Sequence, residues 1–328
     1  MFEGIEKIKN KNIFAICNAV SAERTVTRSS LGELSSLSYQ TVSKAVELLL
    51  DLGIITERQK GKNYVYSFKT SYYFAIADLR GSFHTVFTDI GGRELFSLRY
   101  NESGAFFFDE KVSMFLRDSS IIAARRFPRG KLKGVGIILP SADEAYRDTR
   151  SILLSEKRLK RLISAYFHET NIITLKGIEG AARVCMDKRG LIIMKEQDSV
   201  YLSAVGYGTA KAIRIKSVAS TKLGECRSSE ELAKVLACAV GNISELLSPE
   251  VILVDGDRMF AVSAFPARFK STLAVYTCIS EQELPNICHY DGSLALLGTA
   301  ALLRDDLILS QLDTYENKSH IQERHNKA

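Results

Sequence analysis

The stretch Tyr72–Leu95, YYFAIADLRGSFHTVFTDIGGREL, decides the fold. An apolar run, Phe74-Ala75-Ile76-Ala77, ends at Asp78. Leu79-Arg80-Gly81-Ser82 offers a tight turn, Val86-Phe87 carries a second apolar run, and Asp89-Ile90-Gly91-Gly92 offers a second turn. Short apolar runs punctuated by glycine predict two strands in a hairpin, the start of a meander.

The whole chain bounds the context of this hairpin. It has 328 residues, 46% hydrophobic and 25% charged, which suits an ordinary globular protein of two or three domains. No apolar run approaches the roughly 20 residues of a membrane helix. The N-terminus, MFEGIEKIKNK, lacks the apolar run of a signal peptide, so a cytoplasmic protein is expected. The six cysteines (Cys17, Cys185, Cys226, Cys238, Cys278, Cys288) are scattered without a CxxC pair, as expected of reduced core thiols. No cluster offers the about four close ligands of a structural zinc, so neither metal nor cofactor is expected. The net charge is +6, and residues 1–70 hold ten Lys/Arg against seven Asp/Glu. That balance is compatible with nucleic acid and proves nothing alone.

Upstream of the hairpin, Ile5, Ile8, Ile13, Ile16, Cys17 and Val20 recur at a nearly helical period. Thr27-Arg28-Ser29-Ser30 offers hydroxyls to cap a second helix carrying Leu31, Leu34 and Leu37. Ser38 can cap a third, Tyr39–Leu50, with Val42, Val46, Leu49 and Leu50 inward and Gly53 at its left-handed end. Ile54-Ile55-Thr56, a turn at Gln59-Lys60-Gly61-Lys62, and Tyr64-Val65-Tyr66 make a small hairpin. Three helices and a hairpin are the layout of a winged helix-turn-helix. Its third helix would present Ser38, Tyr39, Gln40, Thr41, Ser43 and Lys44 to double-stranded DNA. Gln40 could pair bidentately with adenine, Arg58, Lys60 and Lys62 would meet phosphate or the minor groove, and Arg28 could hold the backbone. The alternative is a three-helix protein-binding module with a solvated charged tip.

Downstream, Phe106–Arg125 reads as a helix, Gly134–Pro140 as an apolar strand, Ser151–Phe167 as a helix, and Ile172–Leu175 as a strand before a helical turn at Gly180-Ala181-Ala182. The second half repeats the plan. Leu191–Met194, Val200–Val205 and Ala212–Ile215 are strands, with Gly206-Tyr207-Gly208 between the last two. Ser229–Leu247 is a helix capped at Ser228 or Ser229, Val251–Val254 a buried strand ending at Asp255-Gly256, and Leu273–Ile279 a further strand. Asp291–Leu309 is a final apolar helix, and the polar tail Asp313–Ala328 is expected to fray. Two such halves suggest duplicated α/β lobes, residues 71–185 and 186–328, behind an N-terminal module of residues 1–70, with the final helix a candidate to return to the first lobe.

In this order the motifs resemble the ROK family (repressors, open reading frames and kinases), specifically its xylose-repressor-like regulators. Asp78-Leu79-Arg80-Gly81-Ser82 is similar to the family's Asp-x-Gly-Gly-Thr phosphate turn, and Gly134–Pro140 to its GxGxxxPG strand, with Ser141 for the last Gly. Gly206-Tyr207-Gly208-Thr209 falls at the second phosphate loop, Pro249–Gly256 at the strand leading to the adenosine-side glycine, and Leu297–Ala301 at the Gly-Ala-Ala helix. The resemblance covers nearly the whole chain and implies a two-lobed actin-like (ribonuclease H-like) ATPase fold, α/β in class.

The departures remove what a sugar kinase needs. The family's sugar-binding Asn and its base Asp fall, by register, on Lys176 and Gly177, and Glu179 is out of register. Glycine cannot deprotonate a hydroxyl. The Glu-x-Gly-His motif is reduced to Gly224-Glu225-Cys226-Arg227-Ser228, and the zinc module that normally follows is missing. Arg80 and Lys211 crowd the two phosphate loops. Either they bind an anion through their side chains, or they fold outward or fill the vacant cleft.

The expectation is a DNA-binding transcriptional regulator of the repressor type, with no catalytic residue. Its vestigial nucleotide or ligand cleft would comprise Asp78, Arg80, Gly81, Ser82, Lys176, Gly206, Gly208, Lys211, Glu225 and Gly256. A homodimer or higher homo-oligomer and a sugar-like or other small-molecule effector would be its partners, with no membrane. The alternatives are an active ROK-type sugar kinase and a pseudokinase scaffold whose N-terminal module docks protein.

Overall fold

Capping hydroxyls and glycines divide the first seventy residues. The structure is a computed structural model that describes residues 2–80, 84–99, 108–139, 156–167, 170–185, 188–196, 199–206, 209–215, 228–256 and 264–325. Helices α1 (Phe2–Ala22), α2 (Arg28–Ser35) and α3 (Tyr39–Asp51) precede strands β1 (Ile55–Lys60) and β2 (Asn63–Phe68). Thr27 Oγ1 accepts from the Ser30 N–H at 3.2 Å and Ser38 Oγ from the Thr41 N–H at 3.3 Å, so both helices start where expected. Gly53 ends α3 with φ +64°, a conformation glycine adopts without strain. The turn between β1 and β2 is tighter than expected. Gln59 and Lys60 pair with Tyr64 and Asn63, which leaves Gly61 and Lys62 to reverse the chain.

The hairpin at Tyr72 opens the first of two five-stranded sheets. Strands β3 (Tyr72–Asp78), β4 (His84–Asp89) and β5 (Glu94–Arg99) form an antiparallel meander. Helix α4 (Phe108–Arg126) leads to β6 (Lys131–Leu139), α5 (Glu156–Ser164) to β7 (Asn171–Lys176), and α6 (Gly177–Arg183) follows. Strands β6 and β7 run parallel to β3, giving the order β5-β4-β3-β6-β7. The second half repeats this plan with β8 (Gly190–Glu196), β9 (Ser199–Gly206), β10 (Thr209–Ile215), α7 (Ser229–Leu247), β11 (Val251–Asp255), α8 (Ala264–Thr277), β12 (Asn286–Tyr290) and α9 (Leu294–His325). Its order, β10-β9-β8-β11-β12, repeats the order and sense of the first, with a parallel β8-β11-β12 part. The two α/β halves are thus built to one plan.

Two expectations in the second half are corrected. Leu273 to Thr277 continues α8 rather than forming a strand, because Phe265, Phe269 and Leu273 bury one face at a four-residue spacing. The edge strand is the half-exposed Asn286–Tyr290, whose weak alternation concealed it. The last helix also runs on to His325 through the stretch expected to fray.

Each half ends in a helix that crosses to the other. Helix α6 packs on β8, β9 and β10 of the second sheet as well as on β6 and β7, and α9 packs on β3, β6 and β7 of the first. The two helices lie against each other, and glycine sets their separation. A methyl at Gly298 would overlap the Gly180 carbonyl, and one at Gly180 would stand 2.9 Å from the Ala295 carbonyl oxygen. Gly134 and Gly136 serve the same packing, since a Cβ there would stand 2.9 Å from Leu303 and 2.5 Å from Thr299. The glycine-bearing strand therefore admits α9. None of the described helices is long and apolar enough to cross a membrane.

Candidate functional site

The strand that opens the first sheet ends in a carboxylate that the next turn folds back upon. Arg80 Nε donates to Asp78 Oδ1 at 3.0 Å and Nη2 to Oδ2 at 2.8 Å, a bidentate fork, and the Arg80 backbone N–H adds 3.1 Å to Oδ1. The guanidinium is 9% exposed as a residue and does not stop at Asp78. Nη2 also donates to the Gly292 carbonyl at 3.1 Å, and Nη1 lies 3.6 Å from Met194 Sδ. Met194 is on β8 and Gly292 sits between β12 and α9, so one side chain ties the first sheet to the second. Arg80 fills the cleft instead of turning outward.

Asp255, at the end of β11, completes the cluster. It is 1% exposed and accepts from the N–H groups of Gly292 at 2.8 Å and Leu294 at 3.5 Å, so it caps the start of α9 from another element. Burial pushes its carboxyl up to about 6, against the opposing pull of Arg80 and the two amides. Both main-chain groups of Gly292 are taken, and its φ of +88° suits only glycine without strain.

The other residues expected in the cleft divide in three. Gly81, Ser82, Gly208 and Glu225 lie outside the described residues, as does the side chain of Lys211 on β10. Gly206 ends β9 with open space around its Cα, and Gly256 donates its N–H to the Tyr290 carbonyl at 3.3 Å. Lys176 ends β7, and its N–H donates to the Glu179 carboxylate at 2.9 Å. That bond fixes Glu179 at the first turn of α6, beside the buried Gly177. The start of α6 thus has a buried glycine and a carboxylate engaged with its own helix start. Among the described residues, no group of three His, Cys, Asp or Glu is placed to hold a metal.

The N-terminal residues build a second concavity. A groove of about 530 Å³ opens between the starts of α2 and α3 and the β1–β2 ribbon, lined by Thr27, Arg28, Ser29, Tyr39, Glu57, Lys62, Asn63, Tyr64 and Tyr66. Arg28 Nε donates to Tyr66 Oη at 2.9 Å and Nη1 reaches Ser43 Oγ at 3.5 Å. Tyr66 also bonds the Glu57 side chain; burial first, then that carboxylate, pushes its phenol above the ordinary range. Arg28 is thus mounted on neutral hydroxyls. Tyr39 and Tyr64 are largely exposed at the rim, 67% and 52%.

Strand register divides the expected cations. Glu57 pairs with Tyr66 and Gln59 with Tyr64 on the ribbon face toward the groove, which puts Arg58 and Lys60 on the opposite face. Of the three tip cations only Lys62 lines the groove. Gln40 and Lys44 are exposed on α3, whereas Ser38 and Thr41 hydroxyls bond each other at 2.9 Å in the cap. Glu57, Asn63, Tyr64 and Tyr66 went unnoticed as groove residues, and Asp255, Met194 and Gly292 as cleft residues. Each is brought in by pairing across sequence, with no local motif to mark it.

No family model matches the chain, and no curated protein matches it in sequence. A solved structure of a ROK-family protein shares its fold. A ROK family transcriptional regulator, a homolog of the E. coli MLC protein, matches with a TM-score of 0.56 and 14% identity over 93% of this chain and 98% of its own. A ROK hexokinase from Thermus thermophilus matches at TM-score 0.47 and 12% identity over 70% of this chain and 98% of its own. For a ROK family glucokinase from Streptomyces griseus, solved with glucose and AMPPNP, the values are 0.46 and 11% over 70% and 98%.

Proposed function

We propose that this chain is a DNA-binding transcriptional regulator built on the ROK fold, acting as a repressor and not as a kinase. Residues 1–70 are a winged helix-turn-helix, with α3 as the recognition helix and β1–β2 as the wing. Residues 71–328 are a two-lobed domain that serves dimerisation and the sensing of a small molecule. The protein works in the cytoplasm as a homodimer, so that two recognition helices meet a two-fold operator.

The observation that carries the reading is the Arg80–Asp78 fork. In the ROK resemblance this Asp belongs to the phosphate turn. Here both its oxygens are engaged by a buried guanidinium that also spans to Gly292, in the space a nucleotide would need. Gly177 in place of the base supports the same conclusion. The DNA reading is supported by the groove, where Arg28 is held rigidly without a carboxylate of its own beside Lys62 and the exposed start of α3. The likeness in fold to a ROK transcriptional regulator over 93% of the chain supports the pairing of the two functions.

The test is genome-wide mapping of bound DNA followed by duplex titration against salt. Log affinity is expected to fall linearly with log salt, with a slope near −0.9 for each phosphate contact. Absence of any bound loci, or ATP turnover over a sugar panel, overturns the reading.

A further inference from the structure

Beneath α1 lies a buried polar network unrelated to the cleft chemistry. Arg304 on α9 is 2% exposed. Its Nη2 donates to Asn18 Oδ1 at 2.6 Å and its Nη1 to Ser21 Oγ at 2.8 Å, both on α1. Nε and Nη2 also reach Asp305 Oδ1 at 3.1 and 3.0 Å, while Asp305 Oδ2 pairs with Arg183 on α6. Three helices distant in sequence are joined by one chain of charged hydrogen bonds. A buried charge leaves such a network only at high cost, so the register of α1 on α9 is tightly defined.

The same two helices begin at the cleft. Helix α9 starts at Leu294, under the Asp255 cap and beside the Gly292 carbonyl that Arg80 holds. Helix α6 starts at Gly177 and ends at Arg183. Between these ends the Gly180–Gly298 crossing puts the two backbones in contact. At 1.5 Å per residue, the path from Leu294 to Arg304 is about 15 Å of continuous helix. A close-packed backbone seam transmits displacement, because it cannot absorb a shift in one helix without moving the other.

We propose that the α6–α9 pair is the coupling element between the inter-sheet cleft and the N-terminal module, with Arg80 and Asp255 setting its cleft end and Arg304 gripping α1 at the other. A ligand that draws Arg80 from Gly292 shifts the start of α9, and the Arg304 network carries that shift to α1 and the placement of α3. The inference rests on the regulator reading for its biological use, but its physical content concerns α1 and the cleft alone.

The experiment is amide hydrogen exchange on the full chain, comparing α1 with α7, whose main packing partner is α8. The perturbation is Arg80→Lys, which keeps the charge and loses the fork. Protection of α1 is expected to fall about tenfold more than that of α7, within the usual range of coupling between sites. In an Asn18→Ala/Ser21→Ala background, the excess in α1 over α7 is expected to vanish. Equal loss in α1 and α7, or the same excess in both backgrounds, overturns the proposal. Should Arg80→Lys not fold, Asp255→Ala, which removes the acceptor at the start of α9, is the second cleft variant, read the same way. Duplex affinity measured on the same proteins separates the two ideas. No duplex binding by any of them sinks the regulator reading and leaves the exchange result to decide the coupling.

Discussion

Arg80 and Gly292 follow strands of opposite sheets and are joined by a 3.1 Å hydrogen bond from guanidinium to carbonyl. A sequence separation of 212 makes this a tertiary contact in the full sense. It turns a motif that reads as an eroded phosphate turn into a bolt. Removing Arg80 is therefore expected to cost stability.

Arg80→Gly leaves Asp78 buried without its fork. Breaking a buried ion pair from one side costs about 3–5 kcal/mol. The expected outcome is a large drop in the urea midpoint with no gain of ATP turnover. A midpoint equal to that of the native chain would show that the bolt bears no load.

Asp255 makes stability depend on pH. Burial pushes its carboxyl up to about 6 in the folded state, from an ordinary value of 3.8. The folded state holds the proton more tightly, so this group's stabilisation is present below about pH 4 and is lost as pH rises through about 6. The shift corresponds to roughly 3 kcal/mol at most, since about 1.4 kcal/mol accompanies each pKa unit. Asp255→Asn retains an acceptor for the Gly292 and Leu294 amides and removes the titration. Urea midpoints at intervals from pH 4 to 7 are expected to fall across that window for the native chain more steeply than for the variant.

The glycines separate into those that pack and those that do not. Gly298→Ala drives a methyl into the Gly180 carbonyl and is expected to cost about 3 kcal/mol or more, seen as a drop of several degrees in melting temperature. Gly206→Ala meets nothing within 4 Å and has no positive φ to strain. It is expected to be neutral, or stabilising by about 0.4–1 kcal/mol through the unfolded chain. Differential scanning calorimetry of the pair checks the contrast.

On the DNA reading, register predicts unequal tip cations. Lys62→Ala, on the groove, is expected to reduce the salt slope by about one contact, and Lys60→Ala, on the far face of the ribbon, by less. Glu57→Gln removes the carboxylate lining the groove and is expected to raise duplex affinity several-fold. Salt-dependent titration of the three variants measures all of this; equal slopes for Lys60→Ala and Lys62→Ala defeat the register argument.

Much of the plan was legible from residues near one another in sequence. Thr27, Ser38 and Ser228 cap helices where their hydroxyls follow a loop, and Gly53 ends α3, because capping and left-handed turns are decided within four residues. Apolar runs fixed most strands, and the repetition of their order exposed two matching halves. The strand expected at Leu273–Ile279 failed, since a short apolar stretch suits helix and strand alike, and only burial against the second sheet's core settles it. The sites were less legible still. Sequence supplied Asp78, Arg80 and Gly177 as oddities, and could not say whether Arg80 turned outward or inward. That was decided by Gly292, Met194 and Asp255, which reach the cleft from three later elements, just as Arg304 finds Asn18 and Ser21 across nearly the whole chain. Local chemistry writes caps and periods into neighbouring residues, whereas the partner of a buried charge is chosen by the packing of the whole.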